Sequence, residues 1–402
     1  MSGRSLLEIP SGVQCFFGEE ALLRREVERR VSDVFRGWCY EEIVLPLFDF
    51  DCVFTRGGGS SDGIYRFIGR DGEVMALRPD FTALAAKVVV SRLSRHELPL
   101  RLFYSGEVLR YQPPRAGRQE ELFQIGLEHL GGNGVESDVE VILVAGEALS
   151  SLGIEDAVLT LGDVGFALRL LRELESRPRA LEALDAMRRR DRDGIGRILG
   201  PARSGDWFEL MGLSGGIEVL DEARRLPALS RENRALERLE RTAGLLRELG
   251  FAKELRIDLG EVRGFDYYTG LVFEIHAAGS GLELGGGGRY DSLLGRFGRE
   301  LPAVGFYLSL DRISELLARR GFFPKPPESA SVGSLAEALE ARLAGKNVKV
   351  GSSLPGTQPQ TARAERAEQE PSARAEGERS ESRSEKRWGW GPSALMNERG
   401  EP

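Results

Sequence analysis

GEVLRYQPPRAGRQEELFQIGLEHLGG, residues 106–132, holds two strand-like runs on either side of a Pro-Pro-Arg-Ala-Gly turn, the composition of a β-hairpin. Along the second run Phe123, Ile125 and Leu127 alternate with Gln124, Gly126 and Glu128. Successive side chains of a strand point to opposite faces, so one face is apolar and packs on a core. The other presents an amide, a bare backbone patch and a carboxylate, which predicts the floor of a polar pocket. The first run adds Arg110. The turn then changes sign: Arg115 and Arg118 are followed at once by Glu120 and Glu121.

Upstream of this hairpin, Glu19 to Arg36 place Leu22, Leu23, Val27, Val31, Val34 and Phe35 near one helical face. EEIVLPLFDF follows as a strand that Pro46 interrupts, which assigns it to an edge or an interface. GIYRFIGRDGEVMALRPDF reads as a second hairpin, with Asp71-Gly72 at its turn, and a helix begins after Thr82. Downstream, SDVEVILVAGEALSSLG predicts a helix capped by Ser137 and stopped near Gly153, and IEDAVLTLGD a strand. From Val164 to Gly250 the period is helical and the composition dense in Arg, Glu and Leu. Strand signals return in LRIDLGEVRGFDYYTGLVFEIHA and GLELGGGGRYD, and VGFYLSLDRISELLARRG reads as a helix.

The expected organisation is one β-rich core in two parts, residues 1–163 and 251–322, separated by a helical insertion over 164–250. Residues 323–402 form a remnant with one helix and one short strand, followed by a tail. From about Leu354 onward that tail is Ser, Arg, Glu, Ala, Gly and Pro with almost no aliphatic residues. It cannot bury enough surface to offset the entropy of ordering, so disorder is expected.

Composition narrows the class. Of 402 residues 41% are apolar and 29% charged, which fits a globular protein, and the net charge of −8 disfavours a broad nucleic-acid footprint. Cys15, Cys39 and Cys52 are too few and wrongly spaced for a disulfide framework or a zinc site. No metal and a reducing compartment are expected. The first residues contain no continuous apolar stretch, so neither a signal peptide nor a membrane span is expected, and the cytoplasm is the predicted location.

Three further segments converge on the hairpin's chemistry. LRPDFT presents Asp80 and Thr82 just ahead of a helix, although Asp80 equally suits an N-cap that needs no ligand. RGFDYYTG supplies Arg263, Tyr267 and Tyr268. Gly285–Gly288 would weaken a strand through entropy alone, which suggests a close backbone approach by a ligand.

In this order LRPDFTA, VLRYQPPRAGRQEELFQIGLE, RGFDYYTG, GGGGRYD and AVGFYLSLDR resemble the motifs of a histidyl-tRNA synthetase core, over roughly Pro10 to Arg320 apart from the insertion. The resemblance implies an α+β fold of the class II synthetase type, an antiparallel sheet flanked by helices, with Pro46 in the segment used for dimerisation. It also implies a histidine pocket formed by Asp80, Thr82, Arg110, Gln124, Glu128, Arg263, Tyr267 and Tyr268. Carboxylates at Asp80 and Glu128 suit an ammonium group and an imidazole N–H, while Arg110 and Arg263 suit a carboxylate.

The chain departs from that family where ATP would bind. The family's glutamate two residues after Arg110 is Gln112 here, and its second hairpin arginine is Glu120, while Arg312 of the third motif is kept. A carboxylate ~4 Å from a phosphate charge, at an effective dielectric near ~20, costs about 4 kcal/mol per unit pair. The folded anticodon-reading domain of the synthetases is also missing, so no tRNA is expected. Both departures resemble the regulatory subunit of ATP phosphoribosyltransferase, and LTLGDVGFALRLLRELESRPRALEALDAMRRRDRDGIGRIL is similar to its insertion. That resemblance implies a non-catalytic subunit without a cofactor, partnered by the short-form catalytic subunit, self-associating through the synthetase-like interface and responsive to histidine in the first step of histidine biosynthesis. The alternative is a histidine-tRNA ligase with a degenerate or missing anticodon domain.

Overall fold

A computed structural model describes residues 7–57, 63–111, 119–171, 174, 176–226, 234–262 and 267–351. Gln112, Arg263, the turn 112–118 and the tail from residue 352 lie outside the described residues. The chain divides into two units, Met1–Pro327 and Glu328–Pro402.

The first unit begins with α1 (Gly18–Gly37), whose Leu23, Val27, Val31 and Phe35 are buried as the helical period requires. β1 (Glu41–Glu42) and β2 (Phe48–Phe50) flank Pro46, and α2 (Asp51–Arg56) follows. β3 (Arg66–Ile68) and β4 (Val74–Leu77) form the Asp71-Gly72 hairpin and join β2 in a three-stranded sheet, order β2-β4-β3. Then come α3 (Thr82–Arg92), the central hairpin strands β5 (Leu100–Leu109) and β6 (Glu121–Leu130), α4 (Val135–Ser151) and β7 (Ala157–Asp163). α4 starts two residues before the predicted Ser137 cap. Gly134, at φ +116°, takes the capping position, and Ser137 is buried inside the first turn.

Residues 165–248 carry α5 (Gly165–Leu171), α6 (Arg177–Arg188), α7 (Arg192–Leu199), α8 (Pro201–Gly212), the two-residue β8 (Ser214–Gly215), α9 (Val219–Ala223) and α10 (Arg234–Glu248). Trp207, Leu239 and Leu246 of this segment join the same apolar cluster as α1 and α4. β9 (Glu254–Asp258), β10 (Leu271–Ala277), β11 (Gly285–Arg289), β12 (Ala303–Ser309) and α11 (Leu310–Arg319) complete the unit. VGFYLS is therefore the strand β12, and the helix starts only at Leu310. A short apolar run does not distinguish the two by period.

Nine strands form the main sheet, order β1-β5-β6-β12-β11-β10-β7-β9-β8. Its pairs are antiparallel except β1–β5 and β7–β9, which are parallel. α1, α4 and α11 cover one face, where Phe35 packs edge-on against Phe103 and Phe306 at 5.7 Å each. The second unit contains β13 (Ser329–Val332), α12 (Leu335–Leu343) and β14 (Asn347–Val350). Its two strands pair in parallel around a helix capped by Ser334, one strand more than predicted. No helix among the described residues is long and apolar enough to cross a membrane.

Candidate functional site

The polar face of the hairpin lies on the sheet surface away from α1 and α4, and strand pairing extends it across four strands. In register, Tyr104 of β5 stands beside Gly126 of β6, Gly126 beside Tyr307 of β12, and Tyr307 beside Gly286 of β11. In the next row Glu128 of β6 faces Gly305 of β12. Large side chains thus alternate with glycines, and each glycine makes room for a neighbour to lie along the sheet. A Cβ on Gly126 would stand 2.8 Å from the Tyr104 hydroxyl, and one on Gly305 only 1.9 Å from a Glu128 carboxylate oxygen.

The same packing corrects the reading of the glycine run. Cβ atoms on Gly285 and Gly287 would meet backbone oxygens of β12 at 2.2 and 2.1 Å, and one on Gly288 would meet the Tyr268 ring at 2.9 Å. Those three glycines serve the protein's own packing, and Gly286 borders the cavity.

Above this floor is a narrow, partly open cavity. Its walls bring together Asp80, Thr82, Arg110, Gln124, Glu128, Tyr267 and Tyr268, seven of the eight residues expected to hold a ligand. The eighth, Arg263, is outside the described residues. Tyr104, Tyr290 and Tyr307 also line it. Tyr104 on β5 shares the parity of Arg110, the residue just after that strand, and Tyr290 stands in the quoted GGGGRYD, so both left a trace in the sequence.

Glu128 is the centre of this arrangement. It is 1% exposed and accepts hydrogen bonds from the hydroxyls of Tyr104, at 3.2 Å, and Tyr290. Burial pushes its carboxyl up to about 7, against the opposing effect of the Tyr290, Thr82 and Tyr104 hydroxyls. Asp80, in the turn before α3, is raised by burial too, while the Arg110 guanidinium acts to lower it. Asp80 also accepts from the backbone N–H of Ala83 at 3.4 Å, which supports the start of α3. Arg110 is oriented by Nε donating to Pro79 O at 2.7 Å. The Tyr267 ring packs tilted on Tyr268, 4.9 Å between centroids, and edge-on to Tyr290 at 5.6 Å. Two buried carboxylates, one guanidinium and a wall of phenols suit a small zwitterion with an additional N–H donor.

Of the residues assigned to an ATP side, Glu120 and Arg312 are not in these walls, and Gln112 is outside the described residues. Glu120 is held by the Tyr65 hydroxyl and through its backbone, with its N–H donating to Gly12 O and its carbonyl accepting from Arg110 N, both at 2.8 Å. Burial and the Glu120 carboxylate push the Tyr65 hydroxyl up to about 12. Arg312 on α11 donates Nη1 to the carbonyl of Glu283 at 2.7 Å and lies 2.7 Å from its carboxylate. Glu120 is thus fastened beside the hairpin, and a carboxylate accompanies Arg312.

Comparison with known proteins places these features in a family. A family model described as histidyl-tRNA synthetase matches residues 12–313. The ATP phosphoribosyltransferase regulatory subunit of Moorella thermoacetica is 40% identical over 79% of this chain and 84% of its own length. That of Geobacter sulfurreducens is 36% identical over 78% of this chain and 73% of its own length. Among solved structures, an ATP phosphoribosyltransferase regulatory subunit/histidyl-tRNA synthetase from Bacillus halodurans superposes with a TM-score of 0.74 at 25% identity, covering 87% of this chain and 93% of that one. On the length of the family match and on identity to these relatives, the chain belongs to the ATP phosphoribosyltransferase regulatory subunits, a family built on the histidyl-tRNA synthetase fold.

Proposed function

We propose that this chain is the non-catalytic regulatory subunit of an ATP phosphoribosyltransferase, that it binds histidine in the Asp80–Glu128 cavity, and that it acts in the cytoplasm without binding tRNA. Catalysis, joining ATP to phosphoribosyl pyrophosphate, belongs to a short-form partner subunit. The observation that carries the reading is the contrast between the two sides of the hairpin: a cavity that gathers seven of the eight expected pocket residues, next to a region where Glu120 is fixed and Arg312 is accompanied by Glu283. Residues 1–163 and 251–322 then serve as the synthetase-like core, 164–250 as its insertion and 323–402 as a segment beyond it. Regulation requires only that histidine bind two states of the assembly unequally.

The test is direct. The purified chain is expected to show no histidine-dependent exchange of pyrophosphate into ATP. The catalytic subunit is expected to co-purify with it and to gain activity on its addition. Measurable exchange overturns the reading in favour of a ligase.

Self-association has its own support in the three-stranded sheet. Phe48, Phe50 and Phe67 are 39–49% exposed, with Phe48 and Phe67 in edge contact at 5.5 Å between ring centroids. An exposed aromatic patch of this kind marks an interface, and the occupant proposed is a second copy. Phe67→Glu is expected to shift the chain toward monomer in sedimentation velocity. An unchanged sedimentation coefficient would place the contact elsewhere.

A further inference from the structure

Both ends of the helical segment meet the sheet beside Gly270, two residues from the pocket wall at Tyr268. Where the chain leaves β7, the Asp163 carboxylate accepts from Gly165 N at 2.7 Å and Val164 N donates to Gly270 O at 3.0 Å. Where it returns, α10 carries Arg238, whose Nη1 stands 3.5 Å from Asp138 Oδ2. Asp138, fully buried in the first turn of α4, also takes Nε and Nη2 of Arg289 at 2.9 and 2.7 Å on its other oxygen. Arg289, 1% exposed, gives its remaining donors to Asp291 at 3.0 Å and Gly134 O at 3.1 Å.

The backbone beside this guanidinium adjoins the pocket wall. Arg289 O accepts from Thr269 N at 2.8 Å, and Asp291 N donates to Thr269 Oγ1 at 2.9 Å. Tyr268 precedes Thr269, Tyr290 follows Arg289, and both tyrosines line the cavity. A buried carboxylate shared by two arginines is stiff, because displacing either partner leaves charge poorly compensated in a low dielectric. Of the two arginines, Arg289 belongs to the sheet and Arg238 to the helical segment. A shift of α10 therefore changes how Asp138 is shared, and with it the hold on the end of β11, which Tyr290 follows.

We infer that Arg238 is a positioning residue: through Asp138 and Arg289 it lets the helical segment set the affinity of the pocket for its amino-acid ligand. The inference deepens the histidine reading above and rests on it.

The experiment titrates L-histidine into the full-length chain by calorimetry, comparing wild type with Arg238→Gln, Arg238→Lys and Arg241→Gln. Arg241 is on the same helix, with a side chain 70% exposed and 3.9 Å from Glu136, and serves as the control. Arg238→Gln is expected to weaken binding about 3- to 10-fold, Arg238→Lys to recover part of the loss, and Arg241→Gln to match wild type. Coupling is reciprocal, so histidine is also expected to slow hydrogen exchange in α10 of the wild type, and less so in Arg238→Gln. A merely structural arginine would not produce that ligand-dependent change. Histidine binding with no change in α10 exchange, or equal affinities for Arg238→Gln and Arg241→Gln, overturns the inference while leaving the pocket reading intact. The exchange comparison in wild type decides the matter even where a variant fails to fold. Failure of the wild type to bind histidine removes both.

Discussion

Gly305→Ala is expected to abolish histidine binding and to destabilise the chain by about 1–3 kcal/mol, the range for overpacking a filled interior. The added methyl carbon would stand 1.9 Å from a Glu128 carboxylate oxygen and 2.4 Å from Leu127 O. The backbone contact leaves no flexible side chain to move aside. The carboxylate contact pushes Glu128 away from the Tyr104 and Tyr290 hydroxyls that orient it. Gly244→Ala is the matched control. It lies within α10 with open space where its Cβ would go, and is expected to stabilise by roughly 0.4–1 kcal/mol through the unfolded state. Urea unfolding and calorimetric titration of both variants check the pair. Native-like affinity in Gly305→Ala would mean that Glu128 does not hold the ligand.

Gly305 also shows what the sequence could and could not reveal. The alternation along β6 was legible, because a period of two separates a core face from a pocket face within one strand. It named Gln124 and Glu128 correctly as neighbours on one surface. Cross-strand register is a property of the pairing, and no single strand contains it. Tyr104, Tyr307 and Gly305 acquire their roles only once β5, β6 and β12 are aligned. The glycine run divides for the same reason: Gly285 and Gly287 need space for the backbone of β12 and Gly288 for Leu271 O and the Tyr268 ring, while Gly286 borders the cavity. Gly126 was read as bare floor, whereas the Tyr104 ring lies across it. At element ends, Gly134 displaced Ser137 as the helix cap through its positive φ, a backbone fact that a preference for hydroxyl caps does not contain. The Asp138–Arg289 pair, 151 positions apart in the chain, has no local signature at all.

Stability without ligand is expected to fall as pH rises from about 4 to about 7 and to level off above that. Burial raises the Glu128 carboxyl from 4.5 to about 7 and that of Asp163 from 3.8 to about 7. Between the lower and upper values the folded chain keeps protons that the unfolded chain has already released. The contribution of each group is therefore fully present below its unfolded value and lost as pH climbs through its folded value. For Glu128 the loss is on the order of 3 kcal/mol. Glu128→Gln keeps the shape and stays neutral, so in urea unfolding its stability relative to wild type should be flat below about pH 4, increasingly favourable between about pH 4.5 and 7, and level above that. Asp163 contributes equally to both chains and cancels in that difference. Ligand reverses the sign. An ammonium group is charged throughout this range and attracts Glu128 only when the carboxyl is ionised, so histidine affinity should rise toward pH 8 and binding near pH 7 should release a proton. Calorimetry in buffers of different ionisation enthalpy measures that proton, and Glu128→Gln should eliminate its release from this site. An affinity independent of pH in wild type would mean that the ligand's positive charge is met elsewhere, with Asp80 the next carboxylate in the same cavity.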